Sequence, residues 1–123
     1  MGRQYDKQHA TTLVATSALA ANRFASYGGG YASGAAGAGG SSDACGVTEH
    51  AAESGEAVSV VTGYSYLVEA GATFSAGAFV KPGSDGKAVA GTITDHCARA
   101  LEAATAVGQL VEVRLLPHVH PTA

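Results

Sequence analysis

The chain has 123 residues, a formal net charge of -3 and only 14% charged residues. That length suits one domain, and the lack of any Lys/Arg cluster argues against nucleic-acid binding through phosphate neutralisation. No run approaches the roughly 20 apolar residues of a membrane-spanning helix, so no membrane partner is expected.

Met1 to His9 is polar, carries Arg3, Asp6 and Lys7, and reads as a flexible arm over residues 1–10. The apolar stretch Ala10 to Ala21 is broken by Thr11, Thr12, Thr16 and Ser17, and Asp6 spoils a basic leader, so it is not read as a signal peptide. Thr11–Thr16 and Asn22–Tyr27 read as strands. Between them and Cys45 lies a Gly-rich loop, residues 28–42, whose small residues predict flexibility rather than packing. It is no phosphate loop, because no Gly-Lys-Ser/Thr ending is present. Ala57–Val68 reads as a strand pair or one bent strand around Gly63, with Val58, Val60, Tyr64 and Tyr66 alternating. Ala78–Lys81 and Lys87–Ala90 flank a turn-rich Pro82-Gly83-Ser84-Asp85-Gly86, a hairpin signal. Asp95–Ala106 has helix-favouring content, yet Arg99–Glu102 leans to strand. Val111-Glu112-Val113-Arg114-Leu115 alternates strictly and is the clearest core strand; Pro117 ends its pairing. Residues 118–123 form a tail.

Gly46–Val61 set gaplessly on Arg99–Arg114 places Glu49 on Glu102, Gly55 on Gly108, Val58 on Val111 and Val60 on Val113. The shared Gly-x-x-Val-x-Val ending fixes a turn and a register together, and suggests two related hairpins. Short strands with frequent turns predict a mainly β fold, a small β-barrel or sandwich of short antiparallel strands over residues 11–117. Much of the apolar content is Ala and Trp is absent, so the core is thin and gains from self-association.

Residues with chemical potential do not assemble a reaction. His118 and His120, with His50, His96 and Cys97, make no zinc spacing, and the terminal pair reads as a polar tail. There is no Gly-x-Ser-x-Gly elbow. Asp85-Gly86-Lys87 is a poor match to a lipoyl-lysine hairpin, since Lys87 follows the turn instead of capping it. Glu49, Glu53, Glu56 and Glu69 show no paired-carboxylate spacing. Cys45 and Cys97 form no CxxC motif and read as two buried free thiols. No enzyme, cofactor or metal is expected.

The order of ANRFASYGGGYA, ACGVTEHAAESGEAVSVV, VEAGATFSAGAFV, the Asp85-Gly86 hairpin and ALEAATAVGQLVEVRLLP resembles that of small phage capsid decoration (cement) proteins. The likeness runs from about Leu13 to Pro117, departing in the Gly-rich insertion around Tyr31 and in Gly91–His96. It implies a non-enzymatic virion protein, made in the host cytoplasm, that sits on the outer capsid surface. There it would stabilise the shell by bridging major capsid protein subunits. It also implies self-association, a trimer first and a dimer as the alternative. Arg3, Tyr5, Lys7 and His9 of the arm, with Tyr27 and Tyr31, are the expected capsid contacts, because arm and loop are free to change shape on binding. A head-surface module contacting host carbohydrate through exposed tyrosines is the alternative.

Overall fold

Period-two patterning produces nine short strands in the computed structural model, which describes residues 10–32, 44–63, 65–92 and 96–115. They are Ala10–Val14 (β1), Phe24–Ser26 (β2), Ala44–Thr48 (β3), Ala57–Val61 (β4), Ser65–Glu69 (β5), Phe79–Pro82 (β6), Ala88–Ala90 (β7), Ala98–Ala100 (β8) and Leu110–Leu115 (β9). No α-helix occurs among the described residues, so the strand reading of Arg99 holds. The strands form two antiparallel sheets, ordered β1-β4-β3-β2 and β5-β9-β8-β6-β7. Neither closes on itself; the fold is sandwich-like, and the barrel alternative is ruled out.

Three local expectations change. Ala57–Val68 is neither a hairpin nor one bent strand: β4 belongs to the first sheet and β5 to the second, so the chain changes sheets near Gly63. The start of the Gly-rich loop packs: Ala32 is buried, and its N–H donates to Phe24 O at 3.0 Å. The strand read over Arg99–Glu102 stops at Ala100: Leu101 lies past the end of β8 and is 47% exposed. The arm, residues 33–43 of the loop and the tail lie outside the described residues. The Asp85-Gly86 hairpin forms as read: both residues take positive φ, 55° and 70°, as a tight β-hairpin turn requires.

Val111 and Val113 point inward from β9 and are fully buried, beside Val68, Val80 and Phe74. This core takes in Phe24 and Val47 of the first sheet, so it spans both sheets. A smaller cluster of Ala15, Leu19, Ala25, Val58 and Val60 belongs to the first sheet alone. Cys97 is buried and Cys45 half-buried, neither in a disulfide, and burial pushes the Cys45 thiol above its ordinary pKa.

The suspected repeat is a duplication of the whole sheet. β5-β9-β8-β6 reproduces β1-β4-β3-β2 strand for strand, with β7 added at the edge. Ala15 N–H donates to Glu56 O at 2.9 Å, and Ala15 O accepts from Gly55 N at 2.6 Å; Ala70 does the same with Gln109 and Gly108, both at 2.8 Å. Leu19 bridges Ala52 as Phe74 bridges Ala104. Gly55 and Gly108 both need positive φ, 89° and 91°. The gapless match is corrected in one respect. The loop from Ala104 to Gly108 is one residue longer than that from Ala52 to Gly55, so Glu49 falls on Leu101, not Glu102. Restoring that residue aligns Phe24–Val47–Val61, a row of cross-strand partners, with Phe79–Arg99–Arg114. It also aligns Cys45 with Cys97.

The two units are joined at a corner. Asn22 sits at φ 61°, the left-handed region that Asn tolerates best among non-glycine residues, and its counterpart Gly77 sits at φ 85°. That turn aims Asn22 at β5: Nδ2 donates to Leu67 O at 2.9 Å, and Asn22 O accepts from Glu69 N at 2.9 Å. Arg23 donates from Nη2 and Nε to Glu69 Oε1 at 3.0 and 3.2 Å, and from Nη1 to Asp85 O at 3.2 Å. Lys87 adds a longer contact to the same carboxylate, 3.8 Å. Thr48, fully buried, holds the corner from behind: its hydroxyl donates to Ala20 O at 2.7 Å and accepts from Arg23 N at 3.1 Å.

Two substitutions test this architecture. Val113→Asp places an unpaired carboxylate in the core both sheets share, a cost comparable with the about 5–15 kcal/mol of a whole small domain, so the variant should not fold. A soluble variant with a cooperative melt would show the site is not buried. Asn22→Val, a β-branched residue forced to positive φ without the Leu67 bond, should lose about 2–4 kcal/mol in chemical denaturation. Asn22→Gly keeps the backbone and should lose about 1 kcal/mol. Equal losses would mean that the left-handed turn is not what matters.

Candidate functional site

Chemistry needs convergent polar groups, and the described residues offer few. No three of His, Cys, Asp and Glu come together there. His50 is exposed; its Nδ1 lies 3.0 Å from Ala51 O and its Nε2 3.3 Å from Ser59 N. His96 stacks on Phe79, ring centroids 4.6 Å apart. The acidic residues are used structurally. Glu69 holds Arg23, Glu49 pairs with the Ser59 hydroxyl, and Glu112 accepts from Ser65 Oγ at 2.8 Å. Glu102 caps β9 by accepting from Glu112 N at 2.8 Å.

The cavities match this picture. A cleft of about 30 Å3 lies between the sheets, lined by Phe24, Cys45, Thr62, Cys97 and Leu115, among others. That is one water's share of liquid volume, too little for a substrate. A wider groove of about 500 Å3 runs along Thr73–Ala76 and Ala103–Thr105, lined by Phe74, alanines and hydroxyls with no ionisable group.

What the surface does offer is apolar exposure on a thin, charge-poor body. Val14 and Tyr27 are 62% and 60% exposed. They lie near each other, because the turn after β2 packs on the end of β1: Thr16 N–H donates to Gly29 O at 3.0 Å. Leu101 and Val107 in the β8–β9 connection and Leu110 at the start of β9 are exposed as well.

Of the expected contact residues, Arg3, Tyr5, Lys7 and His9 lie outside the described residues. Tyr27 stands on the surface. Tyr31 turns inward: its hydroxyl accepts from Ala20 N at 2.8 Å, Arg23 lies 6.0 Å above its ring, and Gly86 packs against its edge. The structure therefore separates the two tyrosines into an exposed and a structural one. Sequence reasoning missed Val14 and Leu110, which read as ordinary strand positions. No local signal marks them, because exposure at a strand end depends on what covers it in the assembled fold.

Comparison with known proteins follows the same line. No curated protein matches the chain in sequence. Among solved structures, the head fiber gp8.5 N base of bacteriophage phi29 superposes with a TM-score of 0.64 at 24% identity, covering 89% of this chain and 98% of that one, a likeness of fold. The sequence profile of phage cement proteins matches residues 4–115. A match over nearly the whole sequence, on a fold shared with a phage head protein, places the chain in the phage cement protein family.

Proposed function

We propose that this protein decorates the outside of a phage head and stabilises the shell by bridging neighbouring major capsid protein subunits. The observation that carries the reading is its family membership, joined to a surface whose notable feature is apolar exposure rather than a reactive pocket. It is synthesised in the host cytoplasm and acts on the virion surface. Residues 1–10 serve as a capsid-binding arm, residues 11–117 as one body and residues 118–123 as a tail. Arg3, Tyr5, Lys7, His9, Tyr27 and the half-buried Tyr31 supply contacts to the shell.

Copies also associate with one another, as trimers first and dimers as the alternative. Support comes from the duplication. β5, the edge strand of the second sheet, is covered: Leu67 O accepts from Asn22 Nδ2, and Glu69 N donates to Asn22 O. Its counterpart β1 is exposed at every position but Leu13, with no charge and no proline to protect it. An edge left open in one unit and covered in the other is what a partner copy would cover. Closed symmetry then lets several weak shell contacts act together.

The host-carbohydrate reading has one supporting observation, the exposed ring of Tyr27. Deleting Met1–His9 separates the readings. Binding to undecorated heads should fall at least about tenfold, roughly 1.4 kcal/mol, while thermal unfolding stays unchanged. Co-sedimentation with heads measures the first and calorimetry the second; undiminished head binding would remove the arm from the account.

A further inference from the structure

The duplication makes one surface of the second unit conspicuous. In the first unit the row Phe24–Val47–Val61 is buried, and Phe24 and Val47 join the core shared with the second sheet. What lies against this side of the first unit is β5, held at the Asn22–Arg23 corner by Leu67 O, Glu69 N and the Glu69 carboxylate. In the second unit the equivalent row is Phe79–Arg99–Arg114, and both arginines are exposed. They are directly opposed across β8 and β9, an arrangement of like charges that costs stability in isolation. Arg99 is held over Phe79, 4.9 Å from its ring, while its Nε donates to Gly77 O at 2.9 Å. That carbonyl is the counterpart of Asn22 O, which accepts from β5 in the first unit.

So each chain exposes both halves of a contact it already makes once. It has an open edge strand, β1, equivalent to the covered β5. It has a second row and corner, Phe79–Arg99–Arg114 with Gly77-Ala78, equivalent to the row and corner that cover β5; here the arginines stand at the surface, while Phe79 is half-buried beside His96 and under Arg99. We propose that β1 of one copy seats against the Phe79–Arg99–Arg114 row of a second copy, repeating between chains the contact that joins the two sheets within one. This rests on the self-association argued above and specifies its geometry: head-to-tail, with different surfaces on the two copies.

The exchanged residues are coherent with that role. Within the chain the corner is an ion pair, Arg23 to Glu69. Between chains the same register brings Ala78 to Val14, so an apolar pair replaces it and accounts for the exposure of Val14. Conversely, the buried Val47–Val61 pair becomes Arg99–Arg114; these charges keep the unassembled face soluble and, because β1 carries no carboxylate, stay at the solvated rim of the contact.

Cysteine cross-linking tests the geometry. In a background with Cys45 and Cys97 replaced by Ala, V14C and A78C chains are prepared separately, mixed and oxidised, in solution and on heads. Covalent dimers should form in the mixture and not from either variant alone. V14C chains linking to one another would mean that β1 edges meet symmetrically, and would overturn the proposal. Wild-type chains that self-associate in sedimentation while the mixture stays unlinked would overturn this geometry and leave self-association standing. Wild-type chains that remain monomeric both in solution and on heads would remove self-association itself. Val14→Asp in the otherwise native chain gives a second arm: association should weaken by about tenfold or more with no change in melting, because the site is exposed in the single chain. Unchanged association would count against the proposal.

Discussion

The corner at Asn22 and Arg23 is the constraint on which the rest depends. Two small sheets, each with a core of Val and Ala, face a large conformational entropy and bury little area against it. Asn22 in the left-handed region turns the chain so that its amide and carbonyl reach β5 while Arg23 reaches Glu69 and Asp85 O. With the side chain of Arg23 only 14% exposed, these bonds are charge-assisted and shielded from water. They fix the sheets in one relation, and in that relation Phe24 and Val47 complete the larger core.

Duplication is the economical route to such a body. One four-stranded unit solves its own turns, with a left-handed residue before β2 or β6 and a glycine before β4 or β9. Its copy solves them again, and the two cover one another on one side. The surfaces that differ between the copies are the informative ones. Val14 stands where Glu69 does, Arg99 where Val47 does, and Arg114 where Val61 does. These positions are where two otherwise equivalent units present different chemistry to solvent.

Much of this was legible in the sequence because strands announce themselves by period two. β9, the Asp85-Gly86 hairpin and the related endings at Gly55 and Gly108 were all read from residues that have few alternatives. The extent of the duplication was hidden by one extra residue in the loop before Gly108, which put the first strand of the repeat out of step and concealed the equivalence of the Cys45 and Cys97 positions. The crossing between sheets at Gly63 left no mark, since β4 and β5 alternate alike whichever sheet they join. The inward turn of Tyr31 was equally silent: its Gly-rich surroundings suggested freedom, while its anchor, Ala20 N, lies in another segment. Exposure of Val14 depends on what covers an edge, which is a property of the assembled fold and not of any local run.

The central claim is that this protein holds a phage shell together, and the rupture of heads under stress tests it most directly. Heads lacking the protein are compared with the same heads after its addition, as temperature is raised or osmotic shock is applied, with release of the packaged DNA as the readout. The account predicts that decorated heads survive to higher temperature, and that the gain saturates as binding sites fill. Heads that bind the protein fully and rupture at the same point as bare ones would contradict it.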